Sequence, residues 1–146
     1  MTIRLEWDGD RRIGPVYLGM SLEECRQVIP GVYDDSPAVS DPELVADIES
    51  SADWWSEEYG VMVAFVAGVA TFIACNDHFW FKGSDLVGQP LEAALRVLEG
   101  SVRVANDWET VRVIETVLGP EVWTRDGVVT CVSIDGTQAA DGEYFP

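Results

Sequence analysis

The 146-residue chain is 47% hydrophobic, enough for the core of one domain, and carries 26 acidic against 9 basic side chains, a formal charge of −17. Such a charge repels phosphate backbones and excludes nucleic acid as a natural partner. The apolar run Val61 to Cys75 is broken at Gly68 and too short for a bilayer, and no basic-then-apolar leader opens the chain. The expectation is a cytoplasmic, soluble protein without a membrane partner.

At the N-terminus, Ile3, Leu5 and Trp7 alternate with Arg4 and Glu6, and Asp8-Gly9-Asp10 marks a turn before Ile13 to Leu18. This predicts a leading hairpin. Ser21 and Glu24 form the S-x-x-E signature of a helix start, followed by a stripe of Leu22, Cys25, Val28 and Ile29; Gly31 is expected in the left-handed position after the helix. Asp41-Pro42-Glu43 predicts a second, acidic helix with Leu44, Ile48 and Ala52 inward. Around Tyr59 a strand begins, with Val61, Val63 and Phe65 on one face and Gly60, Met62 and Ala64 on the other. Phe65 to Cys75 then reads as a hairpin turning at Gly68.

Further along, Pro90 suits the first turn of a helix with Leu91, Ala94, Leu95 and Leu98 on its inner stripe, and Gly100 ends it. Ser101 to Gly119 is read as strands because valine and threonine dominate, although Trp108, Val111, Ile114, Val117 and Leu118 also fit a helical stripe. Thr124 to Ile134 is a second hairpin, turning at Gly127, and the tail from Asp135 is polar.

Two segments recur: GMSLEECRQVIPG at Gly19 to Gly31, and GQPLEAALRVLEG at Gly88 to Gly100. They agree at both glycines, the Leu-Glu pair and a valine, and each hairpin carries Gly-Val-x-Thr. The expected fold is therefore α+β: one domain over residues 1–146, built from tandem helix-plus-antiparallel-hairpin repeats at about residues 13–75 and 83–134. Helices would pack on one face of an antiparallel sheet and leave the opposite face available.

The run Ile13 to Glu24, the Tyr-Gly-Val strand start and the second Gly-x-x-Leu-Glu helix resemble small bacterial proteins of the toxin-immunity type and others without an assigned activity. The helix-then-strands duplication is also similar in outline to the repeats of the β-lactamase-inhibitor protein and of outer-membrane-assembly lipoproteins. The resemblance implies a protein that binds other proteins and is not an enzyme.

Charge points to where such binding would occur. Between Arg26 and Lys82 there is no basic residue, while Asp34, Asp35, Asp41, Glu43, Asp47, Glu49, Asp53, Glu57, Glu58 and Asp77 supply ten carboxylates. Trp54-Trp55 lies among them, and neighbours on a strand face opposite ways, so one indole is expected outside. Tryptophan in an acidic surround fits recognition of a basic protein, a toxin or nuclease. The candidate binding residues are Asp34, Asp35, Asp47, Asp53, Trp54, Trp55, Glu57 and Glu58, on a monomer or homodimer.

Catalytic and metal chemistry find little support. His78 is the sole histidine, and adjacent Asp77 does not have the spatial relation a triad needs. Cys25, Cys75 and Cys131 are far apart, odd in number and free of CxxC spacing, as expected of core thiols in a reduced compartment. Asp135 to Glu143 lacks the ligand pattern of a calcium loop. No cofactor is expected; the rival reading is a ligand-binding or enzymatic pocket lined by Asp77, His78 and Trp80.

Overall fold

The computed structural model describes residues 4–34, 51–108 and 110–135. In chain order the elements are β1 (Arg12–Ile13), β2 (Val16–Tyr17), α1 (Leu22–Val28), β3 (Val32–Asp34), β4 (Ser51–Ser56), β5 (Val61–Val66), β6 (Val69–Cys75), β7 (Trp80–Phe81) and β8 (Ser84–Asp85). There follow α2 (Leu91–Val97), β9 (Ser101–Asp107), β10 (Val111–Thr116), β11 (Glu121–Arg125) and β12 (Val128–Asp135).

Eight strands form one sheet in the order β3-β4-β5-β6-β12-β11-β10-β9, and every neighbouring pair is antiparallel. The two hairpins are made alike. Ala67-Gly68 (φ 54° and 84°) and Asp126-Gly127 (φ 53° and 81°) each take two consecutive left-handed conformations, whose twist matches the flanking strands. Each hairpin then has a register shift, between Ala64 and Phe65 and between Trp123 and Thr124, leaving Thr71 and Thr130 as the extra residues. The shared Gly-Val-x-Thr thus spells a tight turn followed by a bulge.

This sheet overturns the expected α+β architecture of helices packed over tandem helix-hairpin repeats: the protein is mostly β. The two helices of the described residues have seven residues each, about 10 Å of length, against a sheet about 34 Å wide at about 4.8 Å per strand. Helices this short do not roof it. A second layer of extended chain does most of the covering. β1 pairs with β2 and β7 with β8, and the segment Leu5 to Trp7 ties the two hairpins together by bridging to Trp80 on one side and Ile13 on the other. The expected pairing of Leu5–Trp7 with the Ile13 region is therefore present, extended by β7 and β8 from the middle of the chain.

The core lies between these layers. Leu5, Trp7, Ile13, Val16, Met20, Phe79 and Leu86 come from the upper layer and Cys25, Ile29, Ala94 and Leu98 from the helices. They meet Trp54, Val61, Val63, Phe65, Ile73, Cys75, Val122, Val129, Val132 and Ile134 of the sheet, all buried. Each large apolar side chain so buried contributes about 1.5–3 kcal/mol.

The repeated glycine segments fix local structure. Beside the Ser21–Val69 bridge the Gly19 N–H donates to the Ala70 carbonyl and the Ala70 N–H to the Met20 carbonyl; beside Pro90–Val128 the Gly88 N–H donates to the Val129 carbonyl and the Val129 N–H to the Gln89 carbonyl, so each helix starts docked at a hairpin tip. The Ser21–Glu24 capping box forms. The Gly100 N–H donates to the Leu95 carbonyl at 2.7 Å with Glu99 at φ 65°, a Schellman-type end. Gly31 departs from the expectation: Ile29 ends α1 in extended conformation, and Gly31 is needed for close approach. A Cβ there would lie 2.5 Å from the Trp55 carbonyl oxygen and 2.6 Å from Trp54 Nε1. Ser101 to Thr116 forms strands β9 and β10, as read from its valines. The acidic helix expected from Asp41 falls outside the described residues, and Ala52 belongs to strand β4.

Candidate binding face

β4 and β5 pair so that Trp54 stands opposite Val63 and Ser56 opposite Val61, which turns all four toward the core. Trp54 is 7% exposed, and its Nε1 donates to the Ile29 carbonyl at 3.3 Å, so the buried indole keeps a hydrogen bond. Trp55, opposite Met62, faces the other way and is half-buried. One indole is inside and one is half-buried on the opposite face of the sheet.

That face runs across all eight strands. Trp55, Met62, Ala74, Ser133, Glu121, Glu115 and Arg103 are successive cross-strand partners from β4 to β9, continued by Val32 on β3. The neighbouring row holds Asp53, Ala64, Phe72 and Asp135, and beyond β12 the row of Cys131, Trp123 and Val113. Trp55, Met62, Phe72, Trp123 and Cys131 are half-buried and lie outside the core cluster. Trp123 Nε1 donates to Ser133 Oγ at 3.2 Å, laying the indole along the sheet. The result is an apolar strip with a tryptophan in each half, flanked by Asp53, Asp135, Glu115 and Glu121.

Electrostatics differ along the row. Arg103 donates to Glu115, with Nη2 3.1 Å from Oε1, and holds that carboxyl below its ordinary range. Glu121, directly opposite Glu115, is pushed up by burial first, then by the charges of Glu115 and Asp135, with Arg103 opposing. Burial also raises the thiol of Cys131 to about 12 and that of Cys25 to about 11, and Cys75 moves the same way; none is in a disulfide. These thiols are poor nucleophiles.

Of the residues singled out from sequence, Asp53 and Trp55 share the sheet face opposite Trp54, and Asp34 is the backbone partner of Asp53 on β3. Glu57 and Glu58 are exposed in the turn between β4 and β5, two and three residues after Trp55. Trp54 is a core residue. Asp35 and Asp47 lie outside the described residues. Sequence reading missed Met62, Phe72, Trp123 and Glu121 as parts of one surface. The alternation Glu121-x-Trp123 within the second hairpin was the available signal.

The three residues of the rival pocket each have other partners. His78 Nδ1 is 2.7 Å from Asp85 Oδ2, while Asp85 Oδ1 accepts the backbone N–H groups of Phe79 and Val87, so this pair fastens the β7–β8 hairpin. Asp77 lies against Gly60, and Trp80 lies beneath the Arg4 guanidinium at 4.4 Å. A groove of about 540 Å³ opens elsewhere, between Trp7, Asp10 and Leu18 and the β10–β11 turn, and Asp77, His78 and Trp80 are not among its lining residues. Among the described residues no His, Cys, Asp and Glu are grouped to hold a metal ion, and no helix is long and apolar enough to cross a membrane. Comparison with family models, curated proteins and solved structures returned no match for this chain.

Proposed function

We propose that the protein is a non-enzymatic, cytoplasmic binding protein of the immunity type, which neutralises a basic toxin or enzyme by covering its working surface. The observation that carries this reading is the half-buried Trp55 on the sheet face turned away from the core cluster, on the same strand as Asp53 and close in sequence to the exposed carboxylates Glu57 and Glu58. Its indole removes much apolar area from water at little entropic cost, and the surrounding carboxylates steer a cationic partner and repel nucleic acid. No cofactor enters this account.

The test is co-expression with a basic toxin encoded beside the gene, followed by binding measurements on the purified pair. Growth should be rescued. Trp55→Ala should weaken association by about 30-fold or more, the mark of a central tryptophan. Glu57→Lys with Glu58→Lys should slow the on-rate while leaving the melting temperature near that of the wild type. Association unaffected by all three substitutions would overturn the assignment of this face, and turnover of a substrate by the purified chain would overturn the non-enzymatic reading.

A further inference from the structure

The opposite end of the sheet has a different character. β9 is its terminal strand, pairing with β10 on one side only among the described residues. All but one of its seven residues are exposed, including Val102 at 64% and Val104 at 47%. Val117, 54% exposed, donates its N–H to the Gly100 carbonyl beside the start of β9, and Trp108, also 54% exposed, follows its end. Four of the nine exposed large hydrophobics of the described residues thus collect along one edge.

Charge selects what can cover it. On β9 and β10 the guanidinium of Arg103 meets Glu115, and that of Arg112 meets Asp107. These two cations and two anions cancel, so β9 and β10 together carry no net charge on a molecule of formal charge −17. Two copies meet here without a concentration of like charge from these two strands, and apolar area is available to hold them.

The sequence of β9 is self-complementary about Ala105. An antiparallel approach centred on that small residue sets Val102 of each copy against Trp108 of the other, while Arg103 and Asp107 keep their partners within the chain. We infer that the β9 edge is the contact between two copies of this chain, related by a two-fold axis near Ala105.

Two register shifts, which leave Ala105 and Val102 as extra residues opposite β10, interrupt the outward backbone ladder. Side chains therefore make the contact, and a closed two-fold pair forms in place of open-ended strand addition. Trp55, on β4, the second strand from the opposite edge, lies away from this contact. The pair would offer two binding faces.

Sedimentation of the full chain tests this at near-physiological salt from about 1 to about 200 µM, a range that reveals a concentration-dependent dimer. The wild type should pass from the chain mass to twice that value. Val102→Lys and Trp108→Lys, both at exposed positions, should each raise the dimer dissociation constant by at least about tenfold; far-ultraviolet circular dichroism checks that the fold is kept. Trp55→Ala should leave the dimer unchanged. A wild type that stays monomeric throughout, or a dimer indifferent to both lysine substitutions, overturns the inference. A dimer that binds no cationic protein supports this inference while the proposed function fails.

Discussion

At the scale of single residues, one peptide bond separates a core tryptophan from a surface one. Alternation along β4 requires that Trp54 and Trp55 diverge, and this much was legible in the sequence. Which of them goes inside was not, because the answer lies in α1: the Ile29 carbonyl accepts the Trp54 indole N–H, and Gly31 leaves room for the ring. Trp123 was overlooked for a related reason. Its face follows the alternation of β11, but its partner Cys131 is set by the bulge at Thr130 on β12, and a bulge has no periodicity of its own.

Glu121 gives the residue-scale prediction. Burial and the carboxylates of Glu115 and Asp135 raise its pKa above the ordinary 4.5. The native state therefore binds this proton more readily than the unfolded chain does, and stability falls as pH rises from 4.5 through the native value. Glu121→Gln removes that loss together with the like-charge pair facing Glu115. At neutral pH it should stabilise the protein by about 0.2–1 kcal/mol, the usual range for a cross-strand pair. The gain should vanish below pH 4.5. Urea denaturation of both proteins at neutral and acid pH checks this, and an equal gain at both would show that charge is not the cause.

At the scale of elements, the hairpins were readable and the layers were not. Glycines at Gly68 and Gly127 and the valine-rich flanks announce turns and strands locally. The strands β1, β2, β7 and β8 have two residues each, too few for any period to show, and they cover the sheet where helices had been expected. Their assembly also depends on Leu5–Trp7 bridging to Trp80, a pairing between distant parts of the chain that no local pattern announces. The recurrent helix motif was read correctly as a local device, but seven-residue helices are too short to define the architecture.

The first hairpin tip offers an element-scale test. Ala67 adopts φ 54° at the first turn position while exposed to solvent. A left-handed conformation costs an ordinary residue about 1–2 kcal/mol, and asparagine tolerates it better. Ala67→Asn creates the favoured Asn-Gly turn and should raise stability by about 0.5–1 kcal/mol, seen as a higher melting temperature with unchanged dichroism. Asp126, at the same place in the second hairpin, already provides a suitable residue, so Asp126→Asn should change the melting temperature little. A substantial rise from both substitutions would mean that the gain does not come from relieving alanine.

At the scale of the whole molecule, the two proposed surfaces stand at opposite ends of one sheet and differ in how charge acts on them. The Trp55 end lies in a stretch of the chain without a cation between Arg26 and Lys82, whereas the β9 edge pairs each of Arg103 and Arg112 with a carboxylate. Salt should separate them. Screening shortens from about 10 Å at 0.1 M to about 3 Å at 1 M ionic strength. Attraction between the acidic end and a cationic protein is therefore weakened by added salt, and repulsion between two copies is relieved by it. Between about 0.05 and about 0.5 M sodium chloride the dissociation constant for the cationic partner should rise at least about tenfold, mainly through a slower on-rate. Over the same range the dimer constant should fall or hold steady, because apolar side chains make its contact. Titration calorimetry of the partner complex alongside sedimentation of the chain alone gives the two slopes independently. If both associations weakened together as salt was added, attraction between opposite charges would dominate at both ends, and the assignment of an apolar, neutral contact to β9 would fail while the acidic end retained its role.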